Sequence, residues 1–120
     1  MDLKQLQKEQ ALWAHKNFSS LTPSWQPLMG IVEEVGELAH AHLKESQKIR
    51  TNENHIENAK DAIGDIIIFI ADYCNRRNFD LTEIVEQTWS QVKKRNWKDN
   101  PEGKELPPVM YKQKMQEYKK

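Results

Sequence analysis

Long apolar runs, mid-chain prolines, paired cysteines and net charge are all missing from this 120-residue sequence. The longest apolar run, Ile66 to Ala71, is too short to cross a bilayer, so no membrane partner is expected. Cys74 is the single cysteine, which excludes an internal disulfide and fits a reducing, cytoplasmic setting. Met1-Asp2-Leu3-Lys4 lacks the charged-then-apolar pattern of a signal peptide. Lys+Arg and Asp+Glu are equal at 18 each, a balance that argues against a general nucleic-acid binder. The prolines stand at 23, 27, 101, 107 and 108, so the long middle of the chain is free of them, as an all-helical domain requires.

What is present is helical periodicity. A first helix is expected from Leu3 to Lys16, with Leu6, Leu12 and Trp13 as its apolar positions. Ser19 to Pro27 has the composition of a loop. A second helix is expected from Leu28 to Gln47, where Leu28, Ile31, Val32, Val35, Leu38, Ala39 and Leu43 keep the period. A polar connection from Arg50 to His55 precedes a third helix from Ile56 to Arg77. Asp80 followed by Glu83 forms a capping-box pattern, which opens a fourth helix running to about Trp97. Lys98 to Gly103 stops it. The expected domain is therefore 1–98, and 99–120, with Pro107-Pro108 and several lysines, is a peripheral or mobile tail.

Two acidic clusters stand out, Glu33-Glu34-Val35-Gly36-Glu37 and Asp61-Ala62-Ile63-Gly64-Asp65. The second runs straight into Ile66-Ile67-Ile68-Phe69-Ile70. The third helix is apolar on most of its circumference, which predicts burial. Its polar residues Glu57, Asp61, Asp65, Asp72 and Asn75 share one stripe at ~100° per residue, so that stripe should face a cleft. Carboxylates beside an apolar run are expensive to bury unless a cation pairs with them. Either cluster alone also fits a solvated helix face. Both, on consecutive helices that can pack antiparallel, favour a metal site, and hard oxygen ligands point to Mg²⁺ with phosphate completing its shell. Gly36 and Gly64 each precede a carboxylate, which suggests a close helix approach at that level.

These residues resemble a family. Glu33 to Glu37 looks like the EExxE motif of the all-α, MazG-type nucleoside triphosphate pyrophosphohydrolases, whose relatives include the dCTP pyrophosphatases and the dimeric dUTPases. Asp61 to Ile70 resembles the family's ExxD motif with its apolar run. Trp89 to Trp97 resembles the basic, aromatic-ended segment that closes the family's core. The resemblance covers roughly residues 25 to 98. It implies a four-helix MazG-like bundle completed by oligomerisation, as a homodimer or homotetramer. It also implies hydrolysis of a (deoxy)nucleoside triphosphate to the monophosphate and pyrophosphate, as in nucleotide-pool sanitation, with Mg²⁺ as cofactor and Mn²⁺ as a substitute. By that resemblance Glu34, Glu37 and Asp65 are metal ligands, and Glu33 binds metal or acts on the attacking water as the catalytic carboxylate. The ExxD glutamate position is Ala62 here, so Asp61, one turn from Asp65, is the expected replacement. Lys93 and Arg95 are expected at the β and γ phosphates, Asp72 and Asn75 at the base edge, and Trp25 on the nucleotide.

Two other readings compete. Glu37-Leu38-Ala39-His40 matches one Glu-x-x-His element of a di-iron carboxylate bundle, but the third helix offers no second element. A non-catalytic nucleotide-binding or assembly module of the same fold fits the loss of a carboxylate at Ala62.

Overall fold

The structure is a computed structural model that describes residues 1–18 and 23–103. Pro107-Pro108 and the tail lysines lie outside the described residues. Those residues form four α-helices and no strand: α1 Leu3–Asn17, α2 Trp25–Gln47, α3 His55–Arg77 and α4 Leu81–Val92. No helix among them is long and apolar enough to cross a membrane. The chain divides into two compact units, Met1–Val85 and Glu86–Lys120, with the boundary inside α4. The expected boundary at residue 98 falls inside the second unit.

Polar caps set most helix ends. Asp2 Oδ1 accepts from the Gln5 N–H at 2.8 Å and opens α1. Asn54 Oδ1 accepts from the Glu57 N–H at 3.1 Å and opens α3. Asp80 Oδ1 accepts from the Glu83 N–H at 3.2 Å, so the expected cap of α4 is present. Asn78 ends α3 in the left-handed region at φ 56°, where the Phe79 N–H closes back on the Cys74 carbonyl at 2.8 Å. Asparagine tolerates that conformation better than most residues.

Two boundaries differ from expectation. Helix α2 begins at Trp25, three residues before Leu28, because Pro27 sits in its first turn. A first-turn proline lacks only an N–H that would have no helical partner anyway. Helix α4 stops at Val92 instead of Trp97. The Lys94 and Arg95 N–H groups close three-residue turns onto Gln91 and Val92. Asn96 then binds Asp99 twice, accepting its N–H at 3.1 Å and donating to its carboxylate at 2.8 Å. That local pairing competes with the helix and replaces it.

In the first unit α2 and α3 form an antiparallel hairpin. Gly30 meets the Phe69 ring so closely that a Cβ there would lie 2.6 Å from a ring carbon. The buried positions of the pair are small, Ala41 at 2% and Ala62 at 1% exposed. Helix α1 packs on the C-terminal half of α3, where Leu3, Leu6 and Ile70 cover Ala71, Cys74 and Leu81. Gln7 ties this corner together, donating to the Phe79 carbonyl at 2.6 Å and accepting the Leu81 N–H at 3.0 Å.

The expected burial of α3 is not met within one chain. Ile56, Ile63, Ile67 and Ile68 are exposed, as are Leu28, Val32, Val35 and Leu43 of α2, and no large side chain among the described residues is fully buried. A helix that is apolar on most sides needs more neighbours than α1 and α2 supply. On α2 the exposed Leu28, Val32, Val35 and Leu43 centre about 140° from Glu33 and Glu37, counting 100° per residue. On α3 the exposed isoleucines Ile56, Ile63 and Ile67 centre about 160° from Asp61 and Asp65 on the same count. Most of the hairpin's exposed apolar residues thus lie away from its carboxylates, while Met29 and Ile68 are exposed on the carboxylate side.

Candidate metal centre

Consecutive turns of α2 bring three carboxylates together. Glu33, Glu34 and Glu37 each place an oxygen within 4.8 Å of the others. Glu37 follows Glu34 by three residues and Glu33 by four, the spacings that make neighbours on a helix surface, so the cluster is legible from sequence alone. Glu33 and Glu37 are exposed, while Glu34 is half-buried against α3. Its Oε2 is shut off from solvent and has no hydrogen-bond partner among the described residues. Burial pushes the Glu34 carboxyl from its ordinary 4.5 up to about 7, helped by hydrogen bonding to Glu37 and by the charges of Glu37, Asp65 and Glu33. A carboxyl crowded by like charges takes up a proton when no cation is near.

The Asp65 charge acts on Glu34 from α3, so that one residue of the second acidic cluster lies near the first across the hairpin. The contact lies one turn along from the Gly30–Phe69 approach, in the same antiparallel register. Asp65 is half-buried and stays outside the three-glutamate set. Asp61 is exposed and is also outside that set. The register brings Asp61 level with Leu38, next to Glu37, one further turn along. Ala62 is buried on α3 at 1% exposure.

The glycines do not play the expected role. Neither Gly36 nor Gly64 has anything within 4 Å of the place its Cβ would take. Close approach of the helices is carried by Gly30 instead. The close contact thus lies about one and a half turns from either glycine.

The donor set fits a hard divalent cation. Glutamate oxygens from one helix, an aspartate facing them and an orphaned buried oxygen offer what Mg²⁺ accepts, while leaving room for water and phosphate.

The remaining expected residues are dispersed. Asp72 lies seven residues beyond Asp65 on α3 and accepts from Arg76 Nε at 3.0 Å, both side chains being about one-seventh exposed. Asn75 donates to the Gln7 carbonyl at 2.9 Å and to Gln10 Oε1 at 2.8 Å. Trp25 is the exposed first residue of α2. Lys93 and Arg95 belong to the second unit and follow α4 in turns rather than lying on a helix, and the Arg95 guanidinium stands over the Trp97 ring at 5.9 Å. Gln7, Gln10 and Arg76 were not singled out from sequence. The available signal was two glutamines three apart, continuing the face of Leu3 and Leu6 that docks on α3. No protein-family model, curated protein or solved structure matches this chain.

Proposed function

We propose that the chain is a Mg²⁺-dependent hydrolase that cleaves (deoxy)nucleoside triphosphates to the monophosphate and pyrophosphate. The observation that carries this reading is the Glu33, Glu34 and Glu37 cluster within 4.8 Å, opposed by Asp65 and containing an unpartnered buried oxygen. Glu34, Glu37 and Asp65 would hold the cation, with Asp61 supplementing them from the exposed end of the same α3 stripe. Mg²⁺, when bound, supplies charge neutralisation at the phosphates and a water of lowered pKa. Glu33, exposed at the edge of the cluster, orients or deprotonates that water. The phosphate role of Lys93 and Arg95 rests on the family resemblance alone.

The acting species is a homodimer or homotetramer. Leu28, Val32, Val35 and Leu43 of α2 and Ile56, Ile63 and Ile67 of α3 are all exposed on the side of the hairpin away from the carboxylates. Large apolar side chains exposed in this number suit an interaction face, and a twofold-related copy presents the same residues in return. Packing the two would complete a four-helix bundle and leave the acidic sides outermost.

One observation favours a second reading. Ala62 is buried where the resembled motif has a glutamate, and a site short of that ligand suits a non-catalytic nucleotide-binding or assembly module. Pyrophosphate release from a panel of nucleoside triphosphates in millimolar Mg²⁺ or Mn²⁺ separates the two. Absence of turnover with every nucleotide would sink the enzyme reading, and iron in the purified protein would point to the di-iron alternative.

A further inference from the structure

The candidate metal centre has two walls, and they are spaced by different means. Glu33, Glu34 and Glu37 stand on one helix, so helical geometry alone brings their oxygens within 4.8 Å of one another. Asp65 stands on α3, and its charge acts on Glu34 across the hairpin. Its distance from the glutamates therefore depends on how closely α2 and α3 pack. The two helices approach tightly at Gly30 and Phe69, where a Cβ on Gly30 would lie 2.6, 2.7 and 2.8 Å from three adjacent atoms of the Phe69 ring. Gly30 precedes Glu34 by four residues, and Phe69 follows Asp65 by four. In an antiparallel pair both steps run the same way. The contact is thus one turn, roughly 6 Å, from the level of Glu34 and Asp65, and on nearly the same faces.

Magnitudes decide whether such a contact matters to a cation. Carbon atoms pack at about 3.5 Å, so a methyl on Gly30 would require its surroundings to give by about 0.9 Å. A flip of the Phe69 ring brings its opposite edge to the same place, and a phenylalanine on a helix has only two open χ1 positions. Relief therefore falls on the separation of α2 from α3. Mg²⁺ holds oxygens at about 2.0–2.1 Å in a strict octahedron, whereas Ca²⁺ takes them at about 2.3–2.6 Å in a looser shell. A displacement of about 0.9 Å exceeds the whole difference between the two ions. Gly36 stands inside the acidic cluster, yet its Cβ would meet nothing within 4 Å, so it exerts no such control.

We propose that the Gly30–Phe69 contact is the spacer that sets how far Asp65 stands from the glutamates, and that the spacing it sets favours Mg²⁺ over the larger Ca²⁺. The proposal rests on the metal reading of the acidic side, and its test uses binding rather than turnover. Mn²⁺ bound to the full-length protein is followed by electron paramagnetic resonance and displaced with Mg²⁺ or with Ca²⁺. The wild type should release Mn²⁺ at lower Mg²⁺ than Ca²⁺. In Gly30→Ala the preference for Mg²⁺ over Ca²⁺ should fall by about tenfold, while Gly36→Ala keeps the wild-type ratio. Phe69→Leu leaves a gap in place of a clash and should lower the ratio too, which provides a reading if Gly30→Ala does not fold. Joining the two changes nearly conserves volume, so the double variant should return to within about threefold of the wild-type ratio. A loss of stability alone would lower the melting temperature without moving that ratio. A wild type that binds Ca²⁺ as well as Mg²⁺, single variants with the wild-type ratio, or a double variant no better than Gly30→Ala would each overturn the spacer and leave the metal reading standing. A wild type that binds no Mn²⁺ would remove both.

Discussion

The two sides of the α2–α3 hairpin are built from the same two helices, yet each is incomplete in a different way. On one side Glu33, Glu34 and Glu37 crowd together facing Asp65, and a buried Glu34 oxygen has nothing to bind among the described residues. On the other, valine, leucine and isoleucine side chains stand in water. Excess like charge is relieved by a small cation or a proton, either of which comes and goes with conditions. Uncovered apolar area is relieved only by another apolar surface, in proportion to the area removed from water. The first side therefore suits reversible chemistry and the second suits permanent assembly. One sequence obtains both because helical periodicity lets opposite faces evolve separately.

Removing one carboxylate tests the acidic side most strongly. Glu37→Gln or Asp65→Asn should cut turnover by roughly 100-fold or more, measured as pyrophosphate release, while circular dichroism shows an intact fold. Without metal these variants should melt no lower than the parent, because like-charge crowding is relieved. Full activity in either would refute the metal assignment. The apolar side is tested by Val32→Glu. On a surface that stays exposed, such a change alters stability by no more than about 0.5 kcal/mol. Buried against a second copy, the same charge has no partner, so light scattering should show the assembly fall to single chains with the hairpin still helical. A parent protein that is already a single chain at micromolar concentration would remove the dimer from the account.

Two glycines on α2 sharpen the contrast on a smaller scale. Gly30→Ala sets a methyl against the Phe69 ring, where the available distance is 2.6 Å, and should cost about 1–3 kcal/mol in a chemical melt. Gly36→Ala meets nothing within 4 Å and should gain up to about 1 kcal/mol from helix propensity. A loss at Gly36 instead would place a second copy against that stretch of α2.

Acidity offers the gentlest probe. The folded Glu34 carboxyl titrates near 7 against an ordinary 4.5, so between those values the native state binds more protons than the unfolded chain. The metal-free protein should then lose stability from this group as pH rises from 4.5 to 7, with no further loss above. Mg²⁺ competes with that proton, so melting curves with Mg²⁺ and with chelator should diverge more at pH 8 than at pH 5.5. Equal divergence at both would detach Glu34 from the cation.

The sequence made some of this legible and hid the rest for physical reasons. The caps at Asp80 and the helical stripes of α2 and α3 are local patterns, and they appear where spacing placed them. So does the convergence of the glutamates, which a single helix guarantees. The start of α2 was misjudged because a proline in the first helical turn looks the same as one in a loop. The end of α4 depended on Asn96 pairing with Asp99, a choice between two nearly equivalent sets of hydrogen bonds. Periodicity showed that Ile63 and Ile67 share a stripe, but not whether their own chain covers it. The Gln7, Gln10 and Asn75 relay joins residues more than sixty positions apart, and glutamines on a helix carry no pattern that announces such a contact.

The central claim is that the acidic side is a magnesium-dependent phosphate site. Incubating the wild-type protein with the deoxynucleoside triphosphates, in millimolar Mg²⁺ and again in chelator, tests it most directly. The account predicts pyrophosphate and a monophosphate from at least one nucleotide, with all turnover lost in chelator. No pyrophosphate from any of them, or release that chelator leaves unchanged, would contradict it.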